Sequence, residues 1–299
     1  MLRFLRLTDH PEIVVAMSAA VWGLFWIPLR AFESYGLDPA WVTLSQFIAP
    51  LLIMLPFAAR RMFRNQPTGF GQYKTGILIG IAFVLYCESL LLTDVVRSLI
   101  LFYVMPAWGT LAEVGLMGRR FTIWRALALI LSLGGLMTIL GAGGDFSLSL
   151  NLGDFMALVS GIIFTFGAMR VRNSHKISVF EQVFAFFLFG TIFALMLSFL
   201  PLTALGTAPT PNLLIQLIPW FVLMALVFLI PVMWGLYWSS QFVDPGRLGI
   251  LLQLEAVIGI GSAAILAGEP FGWREAIGAI LVISAGILEV FGNRTPNTD

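Results

Sequence analysis

The chain has 299 residues; 59% are hydrophobic, 11% are charged, and the formal net charge is +1. A soluble domain carries about 25% charged residues, so this composition excludes one. It also excludes disorder, which needs low hydrophobicity and high net charge. The single cysteine, Cys87, excludes a disulfide scaffold, and the near-neutral balance gives no reason to expect a nucleic-acid partner. An all-α integral membrane protein remains.

A helix that crosses the bilayer needs about 20 mainly apolar residues. Charge clusters and Pro, Gly and Asn punctuation predict ten such stretches. The first five are 12–32, 39–60, 72–93, 95–117 and 121–141. The second five are 152–171, 178–201, 212–240, 246–268 and 272–292. The junction between the third and fourth is marked only by Thr93, Asp94 and Arg97. Barrel strands would show alternating segments of about ten residues, and these runs are continuous. The first stretch is too long for a typical signal-peptide core and no small-residue cleavage site follows it, so it reads as the first span.

Lys and Arg are retained on the cytoplasmic side. With the N-terminus inside, the inner segments hold Arg3, Arg6, Arg60, Arg61, Arg64, Lys74, Arg119, Arg120, Arg125, Arg170, Arg172, Lys176, Arg247 and Arg294. The outer loops hold only Arg30, Arg97 and Arg274. Both termini are therefore expected in the cytoplasm, and an even number of spans satisfies this.

The ends of the two halves align at an offset of 150: Arg97 falls on Arg247, Gly118 on Gly268, Phe121 on Phe271 and Ala126 on Ala276. Their starts align at 142: Glu12 on Asp154, Ser18 on Ser160, Trp22 on Phe164 and Arg30 on Arg172. Two five-helix repeats are expected, residues 1–145 and 146–299. Five being odd, the second enters the membrane from the opposite side. Inverted repeats recur in secondary transporters, with the substrate site near the midplane between them.

Ala20-Val21-Trp22-Gly23-Leu24-Phe25-Trp26 resembles the W-G motif that opens the first helix of EamA-type proteins of the drug/metabolite transporter superfamily. Gly268-Glu269-Pro270-Phe271-Gly272-Trp273-Arg274-Glu275-Ala276-Ile277-Gly278 resembles the family signature between helices 9 and 10. Two departures stand out: Arg119 where the family usually has Glu in the first half, and Ala256 where it has Pro after Leu254-Glu255. Tyr86-Cys87-Glu88 and Leu101-Phe102-Tyr103-Val104-Met105-Pro106-Ala107-Trp108 resemble helices 3 and 4 of the YddG-type amino-acid exporters. The resemblance implies a ten-helix basket around a central cavity, with helices 5 and 10 bracing the outside. Gly134, Gly135, Ala279 and Ala285 are small residues that permit such close packing.

Chemistry must then come from few residues. There is no phosphate-binding G-x-x-x-x-G-K-S/T loop. The only histidines, His10 and His175, lie in charged segments, and one cysteine cannot complete a thiolate metal site. No enzyme, metal or cofactor is expected. Glu255 falls near the bilayer centre, where a charge costs about 2.5–3.5 kcal/mol on insertion scales. Two readings stay open for it: a cavity carboxylate meeting a substrate ammonium or a proton, and a hydrogen-bonded tie between helices. Glu88, Glu113, Arg97 and Arg247 lie nearer span ends and read as structural.

Trp22, Tyr86, Tyr103, Trp108, Phe164 and Trp234 lie within spans, and Trp and Tyr ordinarily collect at the interfaces. As cavity walls they would suit a small amphipathic solute. Gln253 and Glu255 would supply its polar end, and Pro106 is the candidate hinge, since proline removes a backbone donor. The expected protein is a multi-pass inner-membrane carrier that exports small metabolites, amino acids first, by alternating access. Its expected partners are that small-molecule substrate and the lipid bilayer. A multidrug or nucleotide-sugar carrier is the alternative within the fold. A channel would need a polar pore stripe, and a membrane enzyme a His/Asp/Ser constellation; neither is present in the sequence.

Overall fold

The computed structural model describes residues 10–115, 118, 121–141, 150–172, 177–200, 202–243, 245–269 and 271–292. In chain order its α-helices are α1 (Pro11–Trp22), α2 (Trp26–Ser34), α3 (Pro39–Phe63), α4 (Tyr73–Leu92), α5 (Val95–Phe102), α6 (Met105–Gly115) and α7 (Ile123–Gly141). There follow α8 (Leu152–Arg172), α9 (Val179–Ser198), α10 (Pro211–Met224), α11 (Ile230–Ser239), α12 (Pro245–Ser262) and α13 (Trp273–Gly292). No strand occurs among the described residues.

Each of the ten predicted stretches is helical. Among the described residues six helices are long and apolar enough to cross a membrane: Pro11–Ser34, Pro39–Phe63, Tyr73–Leu92, Leu152–Arg170, Val179–Ser198 and Pro211–Ser239. Apolar cores within three of the other four stretches are shorter, at Val95–Gly109, Ala126–Gly135 and Leu251–Ala267. Large apolar side chains such as Ile130, Ile215, Val227 and Ile280 lie on the outside of the bundle. Such a surface suits lipid, whose core also requires every backbone group to be bonded within a helix.

Several predicted spans are interrupted, and each interruption has a local cause. The first breaks at Gly23–Phe25, where Leu24 N–H and Phe25 N–H turn back to the carbonyls of Val21 and Trp22. The fourth breaks at Tyr103–Val104. Pro106 has no N–H to give the carbonyl of Phe102, and α6 restarts at Met105. In the eighth, the turn Ala225–Leu229 is π-helical, immediately before Pro231, which likewise withdraws a donor.

Helix starts are written locally. Ser178 Oγ accepts from Glu181 N–H and donates to the Glu181 carboxylate at 2.6 Å, a reciprocal cap. Asn151 and Asp154 do the same at α8, with Asp154 N–H on Asn151 Oδ1 and Asn151 N–H on Asp154 Oδ2. Glycines then set the closest crossings. A Cβ on Gly135 of α7 would lie 2.9 Å from the carbonyl oxygen of Gly278 on α13, so the fifth and tenth stretches pack backbone to backbone. The core draws buried side chains from α1–α6 and α8–α13, with Trp22, Tyr86, Phe102, Tyr103 and Phe186 among its members.

Candidate functional site

The break between α5 and α6 places Tyr103 on a turn rather than in a helix. Its side chain is almost wholly buried and reaches α12, where its Oη lies 2.8 Å from Glu255 Oε2. The same Oη lies 3.2 Å from the Leu252 carbonyl. A hydroxyl has one proton to give, and the shorter, charge-assisted bond to the carboxylate is the stronger. From α4, Tyr86 Oη donates to the other oxygen, Oε1, at 2.9 Å. Both oxygens of the buried Glu255 are therefore held, one by a tyrosine of α4 and one by a tyrosine of the α5/α6 break.

Backbone packing brings α12 to this point. A Cβ on Gly23, in the α1/α2 break, would lie 2.7 Å from the Glu255 carbonyl oxygen and 3.0 Å from Gly259 N. The W-G motif therefore sits where the first stretch touches the acid's own backbone. Beyond the break, Trp26 Nε1 donates to Ser262 Oγ at 3.0 Å, tying α2 to the same helix. On the far side, a Cβ on Gly161 of α8 would lie 2.6 Å from the Phe102 carbonyl oxygen, the carbonyl that Pro106 leaves without its helical partner.

Aromatic rings continue from the acid. Tyr86 packs on Phe102 at 4.7 Å between centroids, Phe102 on Phe164 at 5.5 Å, and Phe164 on Phe83 at 5.7 Å. Phe83 meets Trp22 edge-on at 5.4 Å, and Trp22 stacks on Phe25 at 4.6 Å. Trp22, Tyr86, Tyr103, Phe164 and Glu255 thus form one connected group. Phe83 and Phe102 join them, although sequence reasoning had not singled them out. With 26 phenylalanines in the chain, nothing marked these two in advance.

The other expected site residues are placed differently. Trp108 is half-buried against the core with its Nε1 unpartnered, as is Trp22 Nε1. Gln253 is buried with Oε1 unpartnered; two positions from Glu255, it points about 200° around the helix from it. Trp234 is 40% exposed and lies on a separate cleft. Pro106 is the second residue of α6, and its side chain lies outside the described residues, as do those of Glu113 and Arg247. Arg119, Arg120 and Pro270 of the two signature-like segments lie outside them altogether. Glu88 is fully buried on α4, with the Thr43 hydroxyl of α3 as its polar neighbour.

One end of the bundle is laced by polar contacts. Arg30 donates from Nε to the Leu90 carbonyl at 2.9 Å and from Nη2 to that of Thr93 at 2.8 Å, covering the last carbonyls of α4. The Glu269 carboxylate accepts from Val95 N–H and Val96 N–H at 2.8 and 2.9 Å, covering the first donors of α5. Buried Asp154 pairs with Arg97 at 2.7 Å and accepts from Thr93 Oγ1 at 2.9 Å. Thr207 donates from its backbone N–H to Asp38 Oδ2 at 2.6 Å. The sequence signal for Asp154 was the Asn151-x-x-Asp154 spacing of a cap; its pairing with Arg97 had none.

Comparison with known proteins assigns part of the chain. Residues 11–141 match the EamA-like transporter family. This stretch of the chain is an EamA-like transporter unit. It runs from the start of α1 to the end of α7 and contains the W-G motif, Tyr86 and Tyr103. Glu255 and the Gly268–Gly278 segment lie beyond it. Among the solved structures that match, one crystal structure of a protein does so with a TM-score of 0.56 at 15% identity, over 93% of this chain and 95% of that one. That likeness shows a shared fold and nothing of activity. No curated protein matches the chain. The EamA-like unit and the apolar outer surface together make this a multi-pass, transporter-like membrane protein.

Proposed function

We propose that this protein is a secondary carrier of small amphipathic metabolites, amino acids first among them. In this reading Glu255, Tyr86 and Tyr103 hold the polar end of the substrate. The single observation that carries it is the Glu255 carboxylate, buried at the meeting of α4, the α5/α6 break and α12, with a hydroxyl on each oxygen. An isolated charge at membrane depth is costly, and two tyrosine donors offset part of that cost while leaving the group able to exchange partners. A substrate ammonium is a natural replacement for those donors. The unpartnered Trp22 Nε1 and Trp108 Nε1 are donors suited to a carboxylate, and Gln253 Oε1 is a further acceptor. Apolar side chains of the solute would rest on Trp22, Phe83 and Phe164.

Alternating access is part of the same reading. The ten helical stretches are taken as ten spans in two inverted units, 1–145 and 146–299, with both termini cytoplasmic and the inner, plasma membrane as the site of export. Support comes from Gly118 and Gly268, equivalent at the offset of 150, which share a left-handed backbone at φ 62° and 64°. The polar lacing around Arg30, Arg97, Asp154 and Glu269 lies at the end read as external and would serve as the outer seal. The test is counterflow in proteoliposomes. A labelled amino acid should accumulate against an unlabelled internal pool, while nucleotide sugars and cationic dyes fail to drive it. Counterflow with the sugars or dyes and none with amino acids would overturn the substrate class and leave the carrier.

A further inference from the structure

At the opposite end of the bundle, α3, α9, the π-helical turn and α11 enclose a cleft of about 650 Å³. Its mouth is lined by Arg60, Arg61 and Arg64, and its depth by Ile53, Met54 and Phe57 on α3. Leu226, Ile230 and Trp234 form the facing wall. We infer that this cleft binds an anionic glycerophospholipid, with its phosphate among the three arginines and an acyl chain along the apolar walls.

Four observations carry the assignment. Among the described residues no acidic side chain lines the cleft, so its lining leaves the arginines without a carboxylate. Arg61 is fixed in place: its Nε donates to the Pro67 carbonyl at 2.8 Å, and its guanidinium lies 4.8 Å over the Phe180 ring. The cleft opens sideways, because Phe57, Leu226 and Trp234 are exposed on the bundle's flank, where lipid would meet them. From Ile53 to Arg64, α3 rises about 16 Å, close to the depth of one leaflet of a hydrocarbon core about 30 Å thick. A soluble anion would use the arginines and leave the apolar wall uncovered. A neutral lipid would do the reverse. Basic pockets between helices at the cytoplasmic surface are where anionic headgroups bind.

The test uses the full-length protein in detergent with dioleoylphosphatidylglycerol, dioleoylphosphatidylcholine or glycerol 3-phosphate. Phosphatidylglycerol should raise the melting temperature by several degrees, and the other two should not. Arg60→Gln/Arg61→Gln/Arg64→Gln should bind it about a hundredfold more weakly, at about fivefold per arginine. Lys74→Gln, which removes a charge at the same end but outside the cleft, should behave as the parent. Should the triple variant fold poorly, Arg60→Gln and Arg64→Gln singly should each lose about fivefold. A second readout leaves the arginines intact. Brominated phosphatidylglycerol should quench the parent's fluorescence more than that of Trp234→Phe, and brominated phosphatidylcholine should show no such difference. Equal shifts with both lipids, a full response to glycerol 3-phosphate, or unchanged binding in the arginine variants would overturn the proposal.

Discussion

A Cβ on Gly23 would lie 2.7 Å from the carbonyl oxygen of Glu255. The glycine of the W-G motif is thus what lets the first helical stretch rest on the backbone of the buried acid. Gly23→Ala should destabilise the protein by about 1–3 kcal/mol, the cost of overpacking a closed contact, and lower transport by shifting α12. Gly261→Ala on α12, where an added Cβ meets nothing within 4 Å, should keep the parent melting temperature. Equal melting temperatures for both variants would show that α1 and α12 do not meet there.

The outer seal should behave as a coupled unit. Asp154 is fully buried and receives Arg97, Thr93 and the Asn151 backbone. Asp154→Asn should cost about 3 kcal/mol, the low end for breaking a buried pair. The double variant with Arg97→Gln should cost less than the sum of the two singles. Strict additivity in thermal unfolding would remove the coupling.

Much of this was readable in the sequence, and the remainder has physical reasons for escaping it. Long apolar runs announce helices, and a lone Glu or Trp at depth is conspicuous because depth makes it costly. That is how Glu255, Tyr86, Tyr103 and Trp22 could be selected. Their pairing could not be, because a tyrosine hydroxyl finds its acceptor only through tertiary contact. The break at Gly23–Phe25 was hidden inside an unbroken apolar run. Trp234 lies apart from the group, on α11 beyond the π-helical turn Ala225–Leu229, and depth within an apolar run says nothing of which way a side chain faces.

Orientation is open to a direct check. Reporter fusions after Asn65 and Gln241 should read cytoplasmic, and those after Gly36 and Gly206 external. An external reading at Gln241 would give the second half the same sense as the first and remove the inverted pair.

The aromatic wall should set specificity. Trp22 contacts Phe25, Phe83 and Phe228, so Trp22→Ala recedes one side of the group. Large aromatic amino acids should then compete better, relative to small ones, against a labelled substrate. A uniform loss across the panel in folded protein would make Trp22 a packing residue only.

The most direct measurement is amino-acid counterflow by Glu255→Gln in proteoliposomes, alongside its expression and melting temperature. Gln keeps the size of the side chain and a carbonyl oxygen for one tyrosine but cannot carry the charge. Loss of at least about tenfold in counterflow is expected, since hydrogen bonds to a charged group are worth about 1.5–3 kcal/mol, with expression and melting temperature near those of the parent. Parent-level counterflow in that variant would contradict the assignment and leave Glu255 as a tie between α4, the α5/α6 break and α12.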